Sequence, residues 1–161
     1  MPHTVHLPFI FRHAWALFIA VTCLNGAMWW RRGGPWMARN PALREQYRRL
    51  IRGWLIWGNL PWLVMGVGIL SGAVPSTVHY FNPRNGAFVI LFYGTVIAIW
   101  ILKFNWVFFA GGAEKLIACP GLFNPPMTRT WTVKALVLAS LAGGVVGLSV
   151  MCFGNIQIPV S

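Results

Sequence analysis

The chain has 161 residues, 57% of them hydrophobic and 9% charged, with a formal net charge of +11. Aspartate is absent and the only acids are Glu45 and Glu114, which excludes Ser-His-Asp hydrolysis, paired-carboxylate catalysis and an intramembrane carboxylate relay. No HExxH, phosphate-binding GxxxxGK[ST] or GxGxxG motif occurs, so nothing in the sequence points to an enzyme working alone.

Apolar stretches at about residues 14–30, 54–74, 87–110 and 131–153 each match the roughly 17 to 25 helical residues needed to cross a hydrocarbon core. They are apolar all round, unlike the one-sided helices of a soluble bundle. The predicted fold is an all-α membrane protein, residues 1–161 forming one domain. It has four transmembrane helices plus a short basic amphipathic interfacial helix at about residues 41–52, between the first and second.

His3 and His6 precede the first span and are candidate metal ligands. Arg12 and His13 stand at its start, and Cys23 and Asn25 lie within it. A cleaved secretory signal is the alternative reading of this span, but Arg31 and Arg32 follow directly, and a cationic flank there holds the segment as an anchor. Arg31-Arg32-Gly33-Gly34-Pro35 reads as a flexible break.

Residues 41–52 come next. Asn40 can cap and Pro41 suits a first helical position, while Leu43, Tyr47, Leu50 and Ile51 recur at helical spacing. Arg44, Arg48, Arg49 and Arg52 fill the rest of the surface and form a candidate lipid or partner surface. Glu45 stands three and four residues before Arg48 and Arg49, the favourable order for helical ion pairs.

The second span carries Asn59 and Pro61, which predicts a kink, with the Asn59 amide as the nearest donor for the carbonyl that proline frees. Gly68 and Gly72 form a GxxxG and are candidate packing residues. A turn-rich loop from Val74 to Gly86 holds His79 and Arg84. The third span contains Lys103, the one charge well inside a span, and Asn105 close by; with Asn25 and Asn59 these are the candidate intramembrane polar residues. A connection from Gly111 to Thr130 with Cys119, Pro120-Gly121 and Asn124-Pro125-Pro126 leads into the fourth span, where Ala135, Ala139, Gly143 and Gly147 repeat at four-residue spacing as a packing stripe. Cys23, Cys119 and Cys152 fall at different levels, which argues against a disulfide.

The basic residues settle orientation. Arg31, Arg32, Arg39, Arg44, Arg48, Arg49 and Arg52 lie between the first two spans, and Lys115, Arg129 and Lys134 between the last two or just inside the fourth; Arg12 and Arg84 lie on the opposite side. By the positive-inside rule both termini face away from the cytoplasm or its equivalent. The arginines then lie against the membrane, where anionic lipids of the inner face are the expected partners and nucleic acid is not.

The expected function is that of a non-catalytic small subunit or assembly factor of a larger membrane complex, in a plasma (inner) membrane or an equivalent organellar or photosynthetic one, with other membrane subunits as partners. A second expectation is a haem-, chlorin- or quinone-binding component of an electron-transfer or light-harvesting assembly, with His13 and His79 as cofactor ligands. A third is a small-solute transporter or sensor built around Lys103 and the Pro61 kink.

Overall fold

A computed structural model describes residues 9–123 and 126–153. Its elements are α1 (Phe9–Arg39), α2 (Leu43–Leu70), a 3-10 turn (Thr77–Phe81), α3 (Ala87–Phe108), the short α4 (Gly112–Ile117) and α5 (Thr130–Phe153). Three of them, α2, α3 and α5, are long and apolar enough to cross a membrane. The first expected span lies inside the longer α1.

Two expectations fail at the junction of α1 and α2. Residues 41–52 are not a separate interfacial helix: from Leu43 onward they are the first turns of α2, which runs unbroken into its apolar part. Nor is there a break at Arg31–Pro35, because α1 continues through Pro35 to Arg39. Pro35 removes the donor that the Arg31 carbonyl would use, but Arg31 is at an exposed turn, where solvent can take over. Packing against α2 then outweighs the low helix propensity of Gly-Gly-Pro. Asn40 closes the hairpin, its Oδ1 accepting from the Ala42 N–H at 3.2 Å and its carbonyl from the Leu43 N–H at 3.1 Å.

The two helices run antiparallel in constant register, and glycines on both sides seat the partner's side chains. Gly33 of α1 receives the Tyr47 ring, Gly26 receives Leu55 and Ile51, Gly58 of α2 receives Thr22, and Gly66 receives Trp15. A Cβ at Gly66 would stand 2.8 Å from the Trp15 ring, so the seat admits no larger residue without displacement. Close backbone approach of this kind is what small residues supply where no hydrophobic effect drives helices together.

At one end of the molecule, Met65, Ile69, Val74, Tyr80, Val89 and Tyr93 form a buried cluster, with Trp15, Phe92 and Leu148 against it. The 3-10 turn plugs this end. Its Tyr80 hydroxyl donates to the Met65 carbonyl at 3.2 Å, and the Tyr93 hydroxyl donates to the Tyr80 carbonyl at 2.8 Å. Gly68 packs here, its α-carbon facing Tyr80 and Phe88.

Gly72 does not share that role. It lies beyond the end of α2 with φ +77° and open space around it, and its N–H donates to the Ile69 carbonyl at 3.1 Å. It is the left-handed residue that ends the helix, a position glycine takes without strain. The same four-residue spacing thus covers one packing glycine and one cap.

At the other end, Val107, Ala113, Val133 and Val137 join α3, α4 and α5, and a third cluster of Tyr47, Cys119 and Leu122 joins the hairpin tip to the segment after α4. α3 stops two residues short of its expected end, where the Phe109 and Ala110 N–H groups both fold back to the Asn105 carbonyl and Gly111 turns the chain at φ +69°.

Candidate functional site

The arginines of the sequence pattern gather on the hairpin tip. Arg31, Arg32, Arg39, Arg44, Arg48, Arg49 and Arg52 are all exposed. Glu45 pairs with Arg48 at 3.3 Å and with Arg49 at 3.1 Å, two exposed contacts of small stabilising value. Arg39 lies over the Trp36 ring, 5.8 Å from its centroid. At helical rise the tip extends about 15 Å past Trp29 on α1 and about 16 Å past Trp54 on α2. These two indoles meet with centroids 4.8 Å apart. The arginines therefore stand on the joined ends of two long helices rather than on a separate short one.

The connection from α4 to α5 straps this tip. The Tyr47 hydroxyl, wholly buried, donates to the Pro120 carbonyl, and Gln46 Nε2 donates to the Lys115 carbonyl at 3.0 Å. Gly121, at φ +89°, brings its backbone against Arg32, where a Cβ would stand 3.0 Å from the carbonyl oxygen. Cys119 is buried under the strap, which pushes its thiol up to about 11. Between the strap and Trp36 lies a cavity of about 310 Å³ lined by Leu116, Ile117, Phe123 and Met127. Sequence reasoning missed this strap: Tyr47 was visible as part of an apolar helical face, but its partners lie on a distant, irregular segment.

The intramembrane candidates do not converge. Asn59 is buried, but its Nδ2 donates to the Leu55 carbonyl of its own helix at 2.8 Å rather than to the carbonyl freed by Pro61, and its Oδ1 has no partner. Asn25 is half-buried on α1, and Asn105 is exposed on α3. Lys103 is half-buried. Two helical positions apart, Lys103 and Asn105 leave opposite faces of α3.

At the end opposite the arginines, His79 is half-buried and its Nδ1 lies 3.0 Å from Ser76 Oγ, while its carbonyl accepts from Asn85 Nδ2 at 2.8 Å. His13 is half-buried on α1. His3 and His6 lie outside the described residues. Among the described residues no group of three or more His, Cys, Asp or Glu could hold a metal ion. The three cysteines are free.

On α5 only Val133 and Val137 are buried. The contact with α3 uses Gly144, where a Cβ would stand 2.5 Å from the Trp100 ring. Ala135, Ala139 and Gly143 are exposed and Gly147 half-buried, and a Cβ at either Gly143 or Gly147 would meet nothing within 4 Å. The small-residue stripe looks away from the other described residues.

No family model matches this chain, and neither a curated protein nor a solved structure shows significant similarity to it.

Proposed function

We propose that this chain is an integral membrane protein with four spanning helices, α1 supplying the fourth, and that it is a non-catalytic subunit or assembly factor of a larger membrane complex. The basic end then faces the cytoplasm or its equivalent, in accord with the positive-inside bias. The observation that carries the reading is the outward stripe of α5. A flat row of small residues lets a second helix approach closely, and this chain's own packing leaves it open. The projecting arginine hairpin offers a second contact, to anionic lipid headgroups near its base and to acidic partner surfaces at its tip.

The test is to widen the stripe. Ala139→Leu with Gly143→Leu, in protein purified with a tag from its own membrane, should abolish the stoichiometric partner bands seen for the wild type on native gels. Unchanged bands would rule out α5 as the docking helix.

One observation favours a second reading, a haem- or chlorin-binding component. With Nδ1 held by Ser76, His79 has its Nε2 left for a ligand, and orientation of one ring nitrogen by a polar neighbour is usual for metal-ligating histidines. The purified protein should then show a visible absorption band that His79→Ala removes; colourless protein would end this reading.

A further inference from the structure

Among the described residues, one charge in the membrane-spanning part of the chain has no partner. Lys103 lies on α3 five residues before its end at Phe108, about 7.5 Å along the axis. Three residues earlier Trp100 packs on Gly144, and four residues later Val107 is buried against α4 and α5. Spacings of three and four put Lys103 at the edge of this packed side, about 40° to 60° around the helix from Val107 and Trp100, and it is half-buried, so part of it stays open to a neighbour. Among the described residues no hydrogen bond or ion pair reaches its ammonium group.

Neighbouring cations at this end are provided for. Lys115 Nζ lies 3.4 Å from the Ala110 carbonyl, and Lys134 Nζ lies 5.9 Å from the centre of the Phe108 ring. Carboxylates are not available to Lys103. Aspartate is absent, Glu45 is engaged by Arg48 and Arg49, and Glu114 is exposed on α4, beyond the turn that ends α3.

Escape to the surface is also disfavoured by direction. Side chains of a helix lean toward its N-terminus, and α3 begins at the end opposite the arginines. The Lys103 stem therefore starts toward the middle of the span rather than toward the nearby headgroups. An uncompensated ammonium at that depth is costly, and such groups are found paired.

We propose that Lys103 is a docking charge, pairing with an Asp or Glu carboxylate that a partner protein's membrane helix brings against α3. The inference rests on the subunit reading above and names the chemistry of the partner. A lipid phosphate would have to reach inward past the end of α3, against the lean of the side chain, so the carboxylate is favoured.

The experiment is zero-length cross-linking of the complex in its native membrane with dicyclohexylcarbodiimide, which is soluble in the bilayer. The reagent activates a carboxylate; the Lys103 amine then attacks it, forming an amide while the carbodiimide leaves as its urea. Mapped peptides should join Lys103 to an Asp or Glu within an apolar segment of a second protein. Lys103→Met should lose that protein on purification while keeping its own helix content, and Lys103→Arg should retain it. Lys103→Gln provides the neutral variant if Lys103→Met fails to accumulate. A wild-type complex whose partner stays bound to both neutral variants, with no cross-link at Lys103, would overturn the inference and leave the subunit reading standing. Loss of a bound anionic lipid from the neutral variants, with the protein partner retained, would overturn it in favour of a phosphate. Wild-type protein with no partner at all would remove the subunit reading first.

Discussion

Trp100 and Gly144 are in intimate contact: the indole of α3 occupies the space that a Cβ on α5 would need, at 2.5 Å from its ring atoms. One residue earlier, Gly143 has nothing within 4 Å of that position. Adjacent glycines thus serve different masters, one holding α5 to its own chain and the other leaving a face free for a neighbour. Gly144→Leu should overpack the α3–α5 contact and destabilise the isolated protein by about 1–3 kcal/mol. Gly143→Leu should leave its thermal unfolding unchanged in detergent. Equal effects of the two substitutions would contradict the assignment of inner and outer faces.

The strap across the arginine hairpin depends on Tyr47. Tyr47→Phe keeps the ring on Gly33 and removes the hydroxyl's bond to Pro120, a loss of about 1 kcal/mol. Hydrogen exchange at residues 116–123 should quicken, with exchange in α3 unaffected. Gly33→Val should do more, because the ring itself must leave its seat.

Cys119 reports the same strap through pH. Burial favours its neutral thiol, so its folded pKa of about 11 lies above the roughly 8.5 of a free thiol. The associated stability is present in full below pH about 8.5 and is lost as pH rises through about 11. In a Cys23→Ser, Cys152→Ser background, N-ethylmaleimide should label Cys119 far more slowly at pH 8 than it labels a free thiol. Tyr47→Ala, which lifts the strap, should restore rapid labelling. Fast labelling with the strap intact would show that the thiol is not covered.

At the opposite end, Gly68 and Gly72 can be told apart by alanine. At Gly68 a methyl group collides with the Tyr80 hydroxyl and breaks its bond to the Met65 carbonyl, so the loss should include both packing and a hydrogen bond. At Gly72 the space is open and only the left-handed backbone resists, at about 1 kcal/mol. Thermal unfolding of the two variants should rank Gly68→Ala below Gly72→Ala.

Apolar length was enough to place three helices long and apolar enough to cross a membrane, and α5 begins and ends within a residue of the expected 131–153. Local composition misled at Arg31–Pro35 and at residues 41–52. There a Gly-Gly-Pro run reads as a break, and only the Tyr47 ring packed on Gly33 shows why the helix persists. Spacing could not separate Gly68 from Gly72, because a packing glycine and a capping glycine look alike until the helix end is known. The arginine cluster was legible because charge segregates along the chain. The strap was not, since Tyr47, Pro120 and Gly121 meet only after α2 and α3 have turned the chain back. Lys103 and Asn105 are close in sequence but not around the helix, because residues two positions apart point to opposite sides.

Native mass spectrometry of the wild-type protein, released from its own membrane into mild detergent, tests the central claim most directly. The account predicts a complex of defined mass containing at least one other membrane protein in fixed ratio to this chain. A monomer, or an assembly of this chain alone, would contradict it.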